Sequence, residues 1–420
     1  MAMRTLARVG FVVSVAVLAM GYGLAANQWG WVPSSVAQRA WSQAEALLTD
    51  NPFSYRVPRV YDRKGARTLR PEAVQPGVTL VSSLWKTADG WQPQVRLLDR
   101  EGAVLHTWTL DADLFAARSY VHGTHLLPGG DLVVNLEYVG TVRLGPCGTV
   151  RWRLPKRTHH AVTRADDGSF WIPAQRRGRP TGPLGDAVLP EQLLRVSADG
   201  TVLRTIDLLP LLFENDLAAP LFRAHGPQPR GELLHVNDVE PLPASMADAY
   251  PRFDAGDLLV SLRDLHLVFV VDPDTGTVRW HADAPFLRQH DPDFLGDGRI
   301  GVFDNRPDGT ARGTLLGGSR IVVLHLSPDS SPDSTSVRFP TARSGPFYTE
   351  AGGTWQSLPN GNLLLGEAQA GRVVEVTADG APVWEWVRAA QGERVPQVLD
   401  ATRYALSPAA VAEWPCGADE

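Results

Sequence analysis

The strongest constraint on the fold of this chain is a pair of short β-motifs that recurs along it. One motif is a glycine-centred hairpin followed by hydrophobic residues, often including tryptophan, as in "GPCGTVRW", "PDTGTVRW" and "TADGAPVWEW". The other is a glycine turn that leads into an apolar strand, as in "LPGGDLVVNL", "LGDGRIGVF" and "LPNGNLLLGE". The pair recurs at about the spacing of a four-stranded propeller blade. Six such units begin near the following residues: Thr79, His122, His160, His235, His290 and Gly353.

We therefore predict an all-β fold, a six-bladed β-propeller over residues 79–420. The alternative is a β-sandwich or an irregular all-β fold, neither of which explains two hairpin motifs in a fixed order. The chain can bury a large core, because 44% of its 420 residues are hydrophobic. Its net charge of -6 and its lack of a Lys/Arg run argue against a nucleic-acid partner.

The N-terminal residues predict a membrane anchor. Arg4 and Arg8 precede an apolar or small-residue run over residues 9–26, and Trp29 and Trp31 follow it. Positive charge before such a run and tryptophan after it are typical of a spanning helix with a cytoplasmic N-terminus. We expect residues 1–33 to be an uncleaved single-pass anchor, with the propeller on the extracytoplasmic, periplasmic side of the cell membrane. A cleaved signal peptide is the alternative.

Residues 34–78 differ in composition and periodicity from the segments that precede and follow them. Apolar residues at helical spacing come first, and a Pro- and Arg-rich stretch without periodicity follows. We predict a short helix and a linker here. The two cysteines, Cys147 and Cys416, show no metal-binding spacing, and the sequence leaves open whether they form a disulfide.

Histidine occupies the same position in several of the repeat units. His122, His160 and His290 each lie eight residues before the turn glycine of their unit, and His235 fits the position if its turn is lengthened. The innermost strand of each blade lines the central channel, so equivalent positions form a ring at one mouth of it. One such histidine is more often a half-buried residue that caps a strand, but four in register predict a functional site. By strand alternation, the neighbouring His159 would point away from the channel.

Polar residues also stand where the second strand of a unit returns to this mouth. Arg263 and Asn305 each follow their turn glycine by seven residues. A guanidinium in a channel wall suits bidentate binding of an oxyanion, whereas the alternative is a salt bridge to Asp264, Asp257 or Asp238.

These residue types suit two-step group transfer. A neutral imidazole can act as a nucleophile, and a second imidazole can take a proton from an incoming hydroxyl. Arg263 and Asn237 would be fixed donors to the oxygens of the transferred group. A phosphoryl or sulfuryl group fits, but the chain has no P-loop or glycine-rich nucleotide loop.

Three segments carry a resemblance to a known family. "THHAVTRADDGSFW", "HVNDVEPLP" followed by "LLVSLRD", and "QHDPDFLGDGRIGVFDN" resemble the histidine-bearing segments of the bacterial arylsulfotransferases that do not use an activated nucleotide sulfate. The similarity extends from about Val121 to Val387. It implies a six-bladed propeller that moves a sulfuryl group from a phenolic sulfate ester to a phenolic acceptor, by a ping-pong mechanism with a sulfohistidine intermediate. The implied partners are these two small molecules, and no cofactor or metal is implied.

The resemblance also assigns roles to residues. His290 would be the nucleophile, with His160 and His235 beside it, and either of these two would be the base for the acceptor. Arg263 and Asn237 would hold the sulfuryl oxygens. Further substrate-binding candidates come from the repeat register and from positions near the strand ends, not from the resemblance: His122, Asn305, Thr354 and Trp355.

Two other functions remain open. The first is a metal-dependent propeller hydrolase, in which the acidic and amide residues of "HVND" and "FDN" would hold calcium. The second is a membrane-tethered propeller that binds a partner without catalysis, which the fold alone never excludes.

Overall fold

The computed structural model describes residues 10, 11, 13–23, 55–88, 90–110, 114, 115, 120–176, 184, 188–327 and 333–415. The chain forms two compact units, Met1–Tyr55 and Arg56–Glu420. In the first unit, residues 10, 11 and 13–23 are helical. No helix within the described ranges is long and apolar enough to cross a membrane. Most of residues 1–33, and residues 34–54 with the helix expected there, lie outside the described ranges, so the anchor stays a prediction.

In its described residues the second unit contains seven antiparallel sheets, of which six are blades and one is a separate two-stranded sheet. It opens with two short strands, β1 (Arg56–Pro58) and β2 (Gly65–Thr68). Blade 1 contains β3 (Val78–Thr87), β4 (Gly90–Leu98) and β5 (Val104–Thr109). Blade 2 contains β6 (Val121–Leu126), β7 (Leu132–Leu136), β8 (Gly140–Leu144) and β9 (Val150–Leu154). Blade 3 contains β10 (Arg157–Thr158), β11 (Thr163–Arg164), β12 (Phe170–Gln175), β13 (Glu191–Val196) and β14 (Val202–Asp207).

The remaining blades follow the same order of strands. Two helices come first, α1 (Leu208–Glu214) and α2 (Ala219–His225). Blade 4 contains β15 (Val236–Pro241), β16 (Leu258–Leu262), β17 (Leu267–Val271) and β18 (Val278–Ala282). Blade 5 contains β19 (His290–Gly296), β20 (Arg299–Asp304), β21 (Arg320–His325) and β22 (Ser334–Phe339). Blade 6 contains β23 (Trp355–Ser357), β24 (Leu363–Glu367), β25 (Arg372–Val376) and β26 (Pro382–Val387), and the chain continues with β27 (Arg394–Pro396), β28 (Val398–Tyr404) and α3 (Pro408–Ala412).

This arrangement confirms the predicted six-bladed all-β propeller. How the ring of blades is closed was not predicted from the sequence. The strand order in blade 1 is β28-β3-β4-β5, so its innermost strand comes from the C-terminal part of the chain. Thr79 therefore belongs to the second strand of its blade and not to the first. Pairing of β28 with β3 joins the two ends of the propeller into a closed ring.

The structure also differs from the predicted boundary at residue 79. Strand β2, from the stretch expected to be a linker, pairs with β26 as a fifth strand on the outer edge of blade 6. Strand β1 pairs with β27. These two strands could not be predicted from the Pro- and Arg-rich stretch, because they are short and only partly buried.

The core lies between neighbouring blades, where the apolar middle strands pack face to face. In β16 and β17 every residue is buried, as expected for a strand covered on both faces. Two tryptophans of the hairpin motif, Trp108 and Trp384, belong to these inter-blade clusters. Cys147 is disulfide-bonded, and Cys416, the other cysteine of the sequence, lies outside the described residues.

Candidate functional site

The four predicted histidines meet at one end of the central channel. The His122 and His160 rings have centroids 3.7 Å apart, and the His160 and His235 rings are 4.8 Å apart and nearly perpendicular. His290 completes the group, since its pKa is lowered in part by His235 and His122. The repeat register therefore predicted correctly which histidines come together, including His122.

A cavity of about 430 Å³ extends from these histidines along the inner strands. His122, His160, Asn237 and His290 line it at the histidine end, and Tyr404 lines it near the other end of its strand. His235 and Arg263 are not among its lining residues within the described chain. The cavity thus has imidazole and amide groups at one end and becomes partly apolar along its wall.

His290 is held as a neutral imidazole with a defined tautomer. Its Nδ1 is 2.6 Å from Asn305 Oδ1, while Asn305 Nδ2 donates to the carbonyls of Thr349 at 3.0 Å and Gly352 at 2.7 Å. These two carbonyls fix the amide orientation, so Asn305 presents its oxygen and His290 Nδ1 carries the hydrogen. Gly352 N donates to His290 Nε2 at 3.2 Å, which assigns the lone pair to Nε2. Burial, and after it the charge of Arg263, holds the pKa of His290 well below its ordinary value.

His235 has a carboxylate partner. Its Nδ1 lies 2.9 Å from Glu232 Oε1, which also accepts from the Tyr138 hydroxyl at 3.0 Å. The pKa of Glu232 is lowered: burial, the largest effect, would raise it, but the hydrogen bond and charge of His235 and the hydrogen bond of Tyr138 outweigh burial. Glu232 is therefore ionised, and it orients the His235 ring in the way that a carboxylate orients a catalytic histidine.

His160 has an imidazole partner. Its Nδ1 lies 2.8 Å from Nδ1 of His159, which is completely buried. His159 does not line the cavity, as strand alternation predicts, but it contacts the back of the His160 ring. Burial, followed by the neighbouring histidines, lowers the pKa of both residues well below the ordinary value, so both rings are neutral.

The backbone is unusual at both flanking histidines. His160 and His235 have left-handed φ angles of 55° and 50°. Such conformations cost free energy for residues other than glycine, and they cluster at functional sites. Asn135 holds the His160 backbone in place, because its Nδ2 lies 2.9 Å from the His160 carbonyl and 3.2 Å from the His159 carbonyl.

Arg263 begins a short turn immediately after β16. Its backbone N donates to the His235 carbonyl at 3.2 Å, and its Nε donates to Asp264 Oδ1 at 2.9 Å. The same carboxylate oxygen lies 3.1 Å from Nη2 of Arg288, a residue that the sequence analysis did not single out. In the described part of the chain, the two Nη groups of Arg263 make no hydrogen bond. The salt bridge to Asp264 and an oxyanion-binding role are thus compatible, because the pair uses only Nε.

The other predicted binding residues are held more tightly. Asn237 Nδ2 donates to the Gln289 carbonyl at 2.7 Å, and its Oδ1 is buried without a partner among the described residues. Thr354 lines the cavity. Trp355 is 4% exposed, and both its N and Nε1 donate to Asp291, at 2.6 and 2.7 Å. Trp355 is therefore a buried wall residue rather than an exposed platform.

Five carboxyl groups line the deeper part of the cavity: Asp238, Glu240, Asp291, Asp293 and Asp400. Burial, and the mutual repulsion of the group, raises the pKa of Glu240 to about 8 and that of Asp291 to about 7. Burial and the Asp291 charge also raise the pKa of Asp238 and Asp293 well above the ordinary value. Within the described residues, no group of three or more His, Cys, Asp or Glu side chains could hold a metal ion.

Comparison with known proteins gives a family match. The model of the family described as "Arylsulfotransferase (ASST)" matches residues 124–390, which is more than half of the chain. No curated protein sequence matches the chain. Among solved structures, a protein of unknown function from Bacteroides caccae is similar with a TM-score of 0.48 and 14% identity, over 74% of this chain and 94% of that one. An inactive virginiamycin B lyase from Staphylococcus aureus, solved with quinupristin, has a TM-score of 0.42 and 9% identity, over 77% of this chain and 89% of that one. These structural similarities carry no functional argument.

Proposed function

The chain belongs to the arylsulfotransferase family, and from that premise we propose that it transfers a sulfuryl group from a phenolic sulfate ester to a phenolic acceptor. The transfer is ping-pong and passes through a sulfated His290. The observation that carries this proposal is the state of His290. It is a buried neutral imidazole whose Nδ1 hydrogen is donated to Asn305, and its Nε2 has a lone pair for attack on sulfur once it leaves the Gly352 N–H, 3.2 Å away.

In the first half-reaction, His290 Nε2 attacks the sulfur atom and the bond from sulfur to the phenolic oxygen breaks. The imidazole becomes cationic as the nitrogen–sulfur bond forms, and the Asn305 oxygen stabilises that charge through the Nδ1 hydrogen. The Nη groups of Arg263, which make no hydrogen bond to a described residue, are donors for the sulfuryl oxygens, whose charge grows as the transition state loosens.

In the second half-reaction, the oxygen of an acceptor phenol attacks the sulfur of the sulfated histidine. A base must take the phenolic proton, and His160 and His235 are the two imidazoles beside His290. Both have their Nδ1 occupied by a partner, so each would act through Nε2.

We keep the extracytoplasmic, membrane-anchored location as part of the proposal. It rests on the sequence of residues 1–33 alone, with Arg4 and Arg8 ahead of the apolar run. Reporter fusions after residue 54 test it: a reporter active only outside the cytoplasm should be active, and a cytoplasmic reporter active there instead would contradict it.

Initial-rate kinetics test the proposed reaction. With nitrophenyl sulfate as donor and phenol as acceptor, nitrophenol release should depend on the acceptor, and double-reciprocal plots at several acceptor concentrations should be parallel. Arg263→Lys should lower kcat/KM by about 10²-fold, because an ammonium cannot reproduce two coplanar donors. Release of inorganic sulfate without an acceptor, or no turnover by correctly folded protein over a range of aryl sulfates, would contradict a transferase.

A further inference from the structure

Behind His160 lies a line of buried ionisable groups that reaches Glu191, the first residue of β13. We propose that Glu191 and His159 form a proton reservoir for His160, in which Glu191 supplies a proton in the first half-reaction and recovers it in the second. This inference rests on the proposed sulfuryl transfer and assigns His160 as its acid–base residue. Glu191 and His159 are positioning residues, since both act through His160.

The geometry of the line comes from two contacts. His160 Nδ1 and His159 Nδ1 are 2.8 Å apart, and His159 Nε2 and Glu191 Oε1 are 3.8 Å apart. The His159 and Glu191 side chains are both completely buried. The first contact is a hydrogen bond, and the second becomes one if the two atoms approach by roughly 1 Å.

The two atoms of the longer contact lack any other partner in the part of the chain that the structure describes. His159 Nε2 and Glu191 Oε1 are both buried and make no hydrogen bond to any described residue. A buried polar atom without a partner is costly, so closing this gap is favourable. The other Glu191 oxygen, Oε2, is 3.4 Å from the Val236 backbone N.

The charges around Glu191 favour its acid form. Burial, then the negative charge of Glu232 and more weakly that of Asp264, raises its pKa well above the ordinary value, against the backbone N–H groups of Val236 and His235. The groups that face His159 are His235, His122, Glu232 and Arg157, and burial outweighs the carboxylate among them, so the pKa of His159 is lowered. At rest the line therefore consists of one carboxylic acid and two neutral imidazoles.

This protonation state sets the direction of every hydrogen bond in the line. His159 Nδ1–H donates to His160 Nδ1, and the Glu191 hydroxyl would donate to His159 Nε2 once the 3.8 Å gap between them closes. His160 then carries its hydrogen on Nε2, and His160 lines the cavity in which the proposed substrate would bind. His235 is not among the cavity-lining residues of the described chain, and it contacts the ionised Glu232 instead.

The proton balance of the transfer follows directly. When the sulfur–oxygen bond of the donor breaks, the phenolate takes the hydrogen from His160 Nε2. His160 Nδ1 takes the hydrogen of His159 Nδ1, and His159 Nε2 takes that of Glu191, which becomes a carboxylate. The acceptor phenol reverses each step while its oxygen bonds to sulfur, so the enzyme ends with the protons with which it began.

The test uses the full-length protein with Glu191→Gln and a series of aryl sulfates whose phenols differ in acidity. Rates of the first half-reaction are measured as the burst of phenol release in the absence of an acceptor. Nitrophenolate leaves without a proton, so this step with nitrophenyl sulfate should proceed within about twofold of the wild-type rate, whereas phenyl and methylphenyl sulfates need the acid and should slow by about 10²-fold. The reservoir proposal is wrong if the rate of the variant depends on phenol acidity as the rate of the wild type does, or if all donors are slowed equally.

A second variant and a direct measurement guard against simple misfolding. His159→Phe keeps an aromatic ring beside Tyr138, 4.9 Å away, but breaks the line. His159→Phe should show the same dependence of rate on leaving-group acidity as Glu191→Gln. The double variant should be no slower than either single variant, because the residues of the line act as a unit. Additive losses would contradict this.

Infrared difference spectra between the wild type and Glu191→Gln should show the loss of a protonated-carboxyl C=O band. Its absence from the difference spectrum would mean that Glu191 rests ionised and would overturn the reservoir. The proposed function fails separately: if nitrophenyl sulfate leaves no sulfuryl group on His290 in the wild type, the transfer itself is wrong, whatever the infrared result.

Discussion

At the scale of single residues, the histidines of the site differ by the group that contacts Nδ1. His290 contacts the Asn305 amide, His235 the Glu232 carboxylate, and His160 the His159 ring. An amide oxygen fixes the tautomer without removing the proton, a carboxylate orients the ring by accepting from Nδ1, and a second imidazole can exchange a proton. Similar histidines can thus take different chemical roles within one channel.

Truncation of Asn305 tests the role of its amide. Asn305→Ala should lower kcat by about 10²-fold, because the Nδ1 hydrogen of His290 loses the acceptor that stabilises the cationic intermediate. Asn362→Ala is the matched control: Asn362 is also a buried amide, bound at 2.7 Å to the Ala73 carbonyl, and it is not among the residues that line the cavity in the described chain. Comparable loss of turnover in both variants, measured with their thermal midpoints, would point to a general loss of stability instead.

The ring histidines could be predicted from the sequence, whereas their partners could not. His122, His160, His235 and His290 share one register in the repeat, and a propeller converts a shared register into proximity. Glu232 and Glu191 have no register signal, because Glu232 precedes β15 in a long connection and Glu191 starts the third strand of blade 3. Only the folded chain brings these carboxyl groups behind imidazoles.

At the scale of elements, the edges of the propeller depend on pairing between distant segments. Strand β28 pairs with β3, and β2 pairs with β26. Such pairs have no local sequence signal, since neither is a hairpin and β2 is a short strand without alternation. This is why the sequence predicted the number of blades but neither the closure of blade 1 nor the fifth strand of blade 6.

Removal of β2 should destabilise blade 6. Residues 59–68 bring Arg63 to Glu385, at 2.6 and 2.8 Å, and the Tyr61 hydroxyl to Glu367 at 2.6 Å, and both glutamates are buried. A protein that starts at residue 70 should melt at a lower temperature than one that starts at residue 56, because β26 gains an open edge and two buried carboxylates lose partners. Equal melting temperatures by calorimetry would show that β2 contributes nothing to the fold.

At the scale of the whole molecule, the channel brings imidazoles and carboxyl groups into one cavity. His122, His160 and His290 line it, and so do the five carboxyl groups, four of which follow His235 or His290 along strands β15 and β19. Because burial and mutual repulsion raise the pKa of Asp291 to about 7 and of Glu240 to about 8, the folded protein holds protons that the unfolded chain has released. The contribution of these two carboxyl groups to the free energy of unfolding should therefore fall as the pH rises from about 4 to 8, whereas the buried histidines, whose pKa is lowered, contribute in the opposite direction.

Substitution of Asp291 tests this pH dependence. Asp291→Asn should raise stability at pH 8 by at least about 1 kcal/mol and flatten its pH profile, since it removes a buried charge and relieves Asp238 and Asp293. Asparagine tolerates the left-handed φ of 47° and can still accept from Trp355 N. The matched control is Asp297→Asn, which has a φ of 51° and an exposed side chain and should leave the profile unchanged. Parallel profiles of wild type and Asp291→Asn, measured as thermal midpoints between pH 4 and 8, would contradict the account.

The central claim is that His290 carries the sulfuryl group, and intact-mass analysis tests it most directly. The protein is mixed with nitrophenyl sulfate in the absence of an acceptor, and the wild type is compared with His290→Ala. We expect the wild type to gain one sulfuryl group and to release one equivalent of nitrophenol. The added group should be lost when phenol is added, and the variant should show neither the gain nor the release. An unchanged mass in folded wild-type protein that still releases nitrophenol, or an adduct that persists in His290→Ala, would contradict the claim.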